Sequence, residues 1–261
     1  MTTIRPPAVA GQFYPGDRTE LRETVRNYLS EADHRALTPK ALIVPHAGYI
    51  YSGPVAASGY AQLESLRDQI SRVVLLGPSH FVPFPGLAVC SADLFQTPLG
   101  DIAIDVDAVR DLLSLPQVHL LDAAHAREHS LEVQLPFLQE VLDDFQLVPL
   151  VVGDASTDEV AEVIDRLWDG PQTLFVISSD LSHYHDAVTA KHLDRETSQA
   201  IGELRYEELG GSRACGYKPI SGLLCVARRR GLHVQVVDLR NSGDTAGPSD
   251  RVVGYGAYVI E

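Results

Sequence analysis

Three apolar runs in this chain each lead into a polar turn that carries a histidine, and this repeated design limits the fold more than any other feature. Ala41-Leu42-Ile43-Val44 leads into Pro45-His46-Ala47-Gly48-Tyr49, and Val73-Val74-Leu75-Leu76 leads into Gly77-Pro78-Ser79-His80. Leu174-Phe175-Val176-Ile177 leads into Ser178-Ser179-Asp180-Leu181-Ser182-His183. Short continuous apolar runs mark strands buried on both faces, as in a parallel sheet covered by helices. Such sheets deliver reactive side chains to the edge where the strands' carboxyl ends lie. The reading is therefore α/β, with a mainly parallel central sheet flanked by helices. At 261 residues and 45% hydrophobic content, residues 1–261 suffice for a single domain with a full core.

The pattern between these runs predicts the connections. Leu21, Val25 and Leu29 share a helical face behind Asp17, a suitable N-cap. A helix over Pro54 to Leu63 makes residues 41–76 a strand, helix, strand crossover, which predicts adjacent parallel strands with His46 and His80 at one edge. Strand Leu147 to Val152, helix Thr157 to Trp168 and strand Leu174 to Ile177 form a second crossover. Between them, prolines and Gly100 punctuate strands near Leu87–Cys90 and Ile102–Ile104, predicting a hairpin-like excursion. Ser130 to Leu142 reads as one helix bent by Pro136, with Glu128 at its N-terminus favoured by the macrodipole. Strands over His233–Leu239 and Val252–Ile260 close the sheet.

Charge and cysteine usage narrow the partners. A net charge of -14 argues against nucleic acid or an anionic membrane, since both require clustered cations. Cys90, Cys215 and Cys225 lack CxxC spacing, which points to a reducing, cytoplasmic setting, and no apolar run reaches membrane-spanning length. No glycine-rich phosphate loop is present.

His46 and His80, joined by a carboxylate from a distant loop, suit a divalent metal held by two imidazoles and one acid, the usual non-haem Fe(II) set. Zinc with an open position for water uses a similar set and leads to hydrolysis instead. His183 is a ligand or a general acid/base. Tyr49 and Tyr51 offer hydroxyls to a substrate or pack inward. Asp180 orients an imidazole or caps the next segment. Cys215 reads as a nucleophile or, with more support, as a small buried residue.

Five ordered segments together resemble the MEMO family (mediator of ErbB-driven cell motility), whose prokaryotic members are often called AmmeMemoRadiSam system protein B. They are Pro45-His46-Ala47-Gly48-Tyr49 with Ser52-Gly53, Leu76-Gly77-Pro78-Ser79-His80, Glu128-His129-Ser130-Leu131-Glu132-Val133 with Leu135-Pro136, Ser178-Ser179-Asp180 with His183, and Cys215-Gly216 with Pro219-Ile220. The resemblance spans essentially the whole chain. It implies a fold similar to class III extradiol ring-cleaving dioxygenases of the LigB type, which use non-haem Fe(II). It carries metal-ligand roles over to His46 and His80, and places His183 and His129 in the same cleft as proton carriers. Phe13 falls where animal members have a tryptophan at the cleft mouth. Those members take a third ligand from a cysteine in the C-terminal loop, but this chain has none after Cys225. The loop Asn241 to Gly247 offers Asp244 instead, which would favour Fe(II) over copper or zinc.

The resemblance implies a metal-dependent redox enzyme acting on a small substrate held near Phe13, Tyr49 and Asp180. The other reading is a peptide- or protein-binding module on a dioxygenase-like fold whose metal site is vestigial; a zinc hydrolase is a third. The prokaryotic family name further implies a functional association with a radical SAM enzyme and an AMMECR-like protein.

Overall fold

The computed structural model of the chain describes residues 2–261. In chain order its strands are β1 (Ile4–Arg5), β2 (Ala41–Val44), β3 (Arg72–Pro78), β4 (Leu87–Val89), β5 (Leu94–Thr97) and β6 (Gly100–Ala103). They continue as β7 (Val118–Leu120), β8 (Gln146–Val152), β9 (Thr173–Ser178), β10 (His183–His185), β11 (Val234–Asn241) and β12 (Val252–Ile260). Nine of them form one sheet in the order β10-β12-β2-β9-β3-β8-β4-β7, with β11 also paired to β12. The middle of this sheet, β2-β9-β3-β8, is parallel, whereas β12 joins β2 and β4 joins β8 antiparallel. Every residue of β2 and β9 is buried, which accounts for their unbroken apolar runs. Helices flank this sheet, so the α/β architecture is as expected, although the sheet is mixed: its centre and the edge pair β4–β7 are parallel and the other pairings antiparallel.

Neither crossover joins neighbouring strands. β9 lies between β2 and β3, and β3 lies between β9 and β8, so the two crossovers interleave. The preference of successive strands for adjacency yields here to a wider pairing, and all three polar turns still emerge on one edge. Val44 lies opposite Ser178, and Leu76 opposite Ile177, so the strands carrying His46, Asp180 and His80 end side by side.

Other expectations need correction. The hairpin is β5–β6, not the pair near Leu87 and Ile102 as a unit: β4 joins the main sheet, while β5 and β6 form a separate three-stranded sheet with β1. The helix behind His46 begins at Tyr49 and runs to Tyr60, so Pro54 lies inside it and removes one internal bond. The span from Ser130 to Leu142 holds two short helices, His129–Glu132 and Leu135–Val141. Pro136 falls in the first turn of the second, where its missing N–H costs little. The break between them leaves the Val133 carbonyl to accept the Tyr49 hydroxyl at 2.7 Å.

Capping residues fix the outer helices. Asp17 accepts from two backbone N–H groups of the helix Arg18–Glu31, and Ser156 with Glu159 forms a reciprocal cap on Thr157–Arg166. The helix Tyr217–Arg230 stops at Gly231, whose φ of 68° is the left-handed conformation glycine adopts without a Cβ penalty. Among the described residues no helix is long and apolar enough to cross a membrane.

Candidate metal-binding cleft

At the carboxyl edge of β2, β9 and β3 a cleft of about 450 Å³ is lined by His46, His80, His129, Asp180 and His183, with Phe13 and Tyr51 among its walls. Hydrogen bonding determines which nitrogen each imidazole turns to it. The Ser178 hydroxyl has one proton, which it donates to the Ser130 carbonyl at 2.5 Å. It therefore accepts both from Gln134 Nε2, at 2.8 Å, and from His46 Nδ1, at 2.9 Å. His46 must then carry its proton on Nδ1 and keep a bare lone pair on Nε2. His80 Nδ1 meets Glu128 Oε1 at 2.8 Å, and His183 Nδ1 meets the Leu181 carbonyl at 2.9 Å. Both partners accept, so these rings also carry a proton on Nδ1, and in the neutral ring Nε2 is the bare nitrogen. An acceptor behind each ring is the arrangement that orients metal-binding histidines.

Burial disfavours the charged forms of His46 and His129. His46 is buried to 2% exposure, and burial, followed by the neighbouring charge of His80 and His129, holds its pKa well below the ordinary value. Burial and His80 likewise lower His129. Burial would raise the Glu128 carboxyl, but the bonds from the His80 ring and the backbone N–H groups of His80 and Ser130 outweigh it and set it at about 2. Burial raises Asp180 despite the His46 backbone N–H that its Oδ1 accepts at 2.8 Å.

A thiol stands beside these imidazoles. Cys215 Sγ lies 3.3 Å from His46 Nε2 and accepts the Asp180 backbone N–H at 3.3 Å. Donor atoms of His46, His80 and Cys215 all lie within 4.8 Å of one another, as do those of His80, Glu128 and His129. Burial and the charge of Asp180 push the Cys215 thiol up to about 12. Close packing holds the thiol loop: a Cβ added at Gly216 would stand 2.8 Å from the Ser178 carbonyl oxygen.

The structure thus brings together Phe13, His46, His80, His129, Asp180 and His183, and leaves two expected residues outside. Asp244 sits in the short helix Ser242–Thr245. Its Oδ2 accepts the Asn241 backbone N–H at 3.1 Å and its Oδ1 pairs with Lys191 Nζ at 2.9 Å, so its carboxylate is engaged as a cap and ion pair facing a different pocket. Tyr49 turns inward, 3% exposed, its ring 5.0 Å from that of Phe137 and its hydroxyl donated to the Val133 carbonyl, away from the cleft. Sequence reasoning also passed over Glu128, read as a helix-end charge, and Ser178 and Gln134, which hold His46. The density of ionisable residues around Glu128 was the available signal for the first; nothing in the spacing marked the other two.

Comparisons with known proteins identify the family. Residues 5–259 match the family described as Memo-like protein. A MEMO1 family protein of Methanosarcina barkeri is 36% identical, with 99% of this chain and 100% of that one covered. A MEMO1 family protein of Aquifex aeolicus is also 36% identical, with 97% of each chain covered. Among solved structures, an uncharacterized protein of Escherichia coli K12 matches with a TM-score of 0.52 and 14% identity, over 84% of this chain and 98% of that one, a likeness of fold alone. By extent and identity, the chain belongs to the MEMO1 family of Memo-like proteins.

Proposed function

We propose that the cleft is the centre of a metal-dependent redox enzyme acting on a small molecule. His46 and His80 hold a divalent first-row metal through Nε2, and Cys215 Sγ completes a three-donor set. The observation that carries this reading is the convergence of two tautomer-fixed, bare Nε2 atoms with one Sγ. The donors fit such an ion: burial disfavours the charged forms of His46 and of the Cys215 thiol, and thiol deprotonation on binding would offset part of its charge. Two imidazoles and a thiolate extend the preference from Fe(II) towards Cu(I) and zinc. Bound there, the metal would supply Lewis acidity and, if iron or copper, a one-electron couple.

The remaining residues have separate tasks. Glu128 and Ser178 keep the two ligand rings in the binding tautomer. His183, with a bare Nε2 in the cleft, accepts a proton from a substrate hydroxyl; His129, stacked on His80 with ring centroids 4.5 Å apart, serves as its counterpart. Phe13, whose ring centroid lies 4.7 Å from that of His129, walls the cleft and keeps water from that ring.

Anaerobic loading with Fe(II), Cu(I), Zn(II) and Co(II) in turn tests the reading. One equivalent should bind, His46→Ala and His80→Ala should lose it, and Co(II) should show a thiolate charge-transfer band that disappears in Cys215→Ser. Binding by His46→Ala and His80→Ala equal to that of the parent overturns it. Retention of zinc with no uptake of Fe(II) or Cu(I) would move the chemistry to hydrolysis.

A further inference from the structure

Where β10 meets β12, one strand carries a residue too many. His183 pairs with Val253 and His185 with Val252, so Tyr184 is the extra residue of a β-bulge. Its φ of 64° lies in the left-handed region, which a tyrosine seldom adopts without compensation. The bulge leaves the Tyr184 ring 63% exposed and lining the same cleft as the histidines, with the Arg251 guanidinium 4.4 Å from its centroid.

Arg251 precedes β12 and also lines this cleft. Among the cleft-lining residues it is the one permanent cation, and among the described residues no carboxylate lies within 4 Å of its nitrogens. In a chain of net charge -14, most guanidinium groups are taken up by surface carboxylates, as Arg166 is by Asp111 and Arg229 by Asp165. Arg251 instead rests on an aromatic face, which fixes the plane of the group while leaving its edge N–H donors unused. Phe13, Tyr51 and Tyr255 add aromatic surface to the same walls.

We infer that Arg251, braced by Tyr184, is the recognition site for the anionic substituent of a one-ring aromatic ligand, so that the cleft selects aromatic carboxylates over neutral aromatics. The inference rests on the proposed function insofar as that ligand is the substrate. A cleft of about 450 Å³ accommodates a single ring. Its aromatic walls take the ring, and the guanidinium edge takes the carboxylate by a paired, charge-assisted contact. A negatively charged protein repels anions at long range, so selection of one requires a local unpaired cation.

The test uses the matched probes 4-fluorobenzoate and 4-fluorobenzamide, with binding to the full chain followed by fluorine NMR. The acid should bind about tenfold more tightly than the amide, the size expected for one charge-assisted contact. R251Q should remove this preference while leaving the affinity for the amide unchanged; Y184F, which keeps the ring, should retain it. An equal affinity for both probes in the parent chain, or an undiminished preference in R251Q, overturns the inference. Unchanged circular dichroism and metal uptake in R251Q separate recognition from folding. A preference for the acid that persists in His46→Ala would support the anion site even if the metal reading failed, whereas metal uptake without that preference would leave the metal reading intact.

Discussion

Replacing Ser178 by alanine isolates the hydrogen bonds that prepare His46. Three of them meet at the buried Ser178 Oγ: one given to Ser130 at 2.5 Å, and two received, from Gln134 at 2.8 Å and His46 at 2.9 Å. Gln134 Nε2 keeps its second bond, to the Pro45 carbonyl at 2.9 Å, so its loss is partial. His46 Nδ1 has no other partner and lies in a residue of 2% exposure. An unpaired buried donor costs about 1–3 kcal/mol, and with the weakened contacts at Ser130 and Gln134 the total should be about 2–4 kcal/mol. Part of that cost is avoided if the proton moves from Nδ1 to Nε2, but then the lone pair facing the cleft is lost. Either route weakens metal binding, by about 10- to 100-fold for loss of such a supporting partner. Urea denaturation of the metal-free chain measures the first quantity, and competition against a chromophoric chelator measures the second. Asp244→Ala is the matched control and should bind metal as the parent does, because its carboxylate belongs to Lys191 and Asn241. Ser178→Ala with unchanged stability and metal affinity would refute the tautomer argument.

Burial lowers the His125 pKa from 6.5 to about 4, so its contribution to stability is complete above pH 6.5 and is lost as pH falls towards 4, a change of about 3 kcal/mol. His125→Leu should flatten that part of the stability curve in urea titrations at stepped pH, while lowering stability at neutral pH by leaving the Ala88 carbonyl without its 3.0 Å donor. Glu132 is fully buried and accepts from Arg5, from the Ala8 and Val9 N–H groups at 2.7 and 2.9 Å, and from the Tyr14 hydroxyl at 2.6 Å. Glu132→Ala should cost about 3–5 kcal/mol in chemical denaturation, because it strands the Arg5 charge at 6% exposure. With its thiol raised to about 12, Cys215 should resist iodoacetamide at pH 8 in the folded, metal-free chain and label readily in urea, as peptide mass mapping will show.

The parts of the site that could be read from sequence are those written as contiguous patterns. The apolar runs before His46, His80 and Ser178 identified buried strands and the edge at which they end, because burial on both faces leaves a local signature. Strand order left none: β2 and β3 are linked by one helix, yet β9 separates them. Cys215 illustrates the same limit. The loop after Cys225 offers Asp244, whereas the thiol beside His46 lies in the loop before the helix Tyr217–Arg230, seated against Asp180 through contacts 35 residues apart in sequence. Tyr49 shows that an aromatic close in sequence to His46 need not share its direction, since the first helical turn rotates it onto Val133 and Phe137.

The insertion of β9 between β2 and β3 also governs when the cleft can exist during synthesis and folding. His46 and His80 are made early, but the strand that separates them ends at Ser178, which orients His46 and lies 132 residues beyond it in sequence, and Cys215 comes later still. A nascent chain released before β9 therefore has both histidines and no frame to hold them. Closing such long loops before any contact rewards them is slow, so acquisition of metal should lag behind formation of the helices in refolding. Ligand convergence would then report the last step of assembly of the sheet's centre.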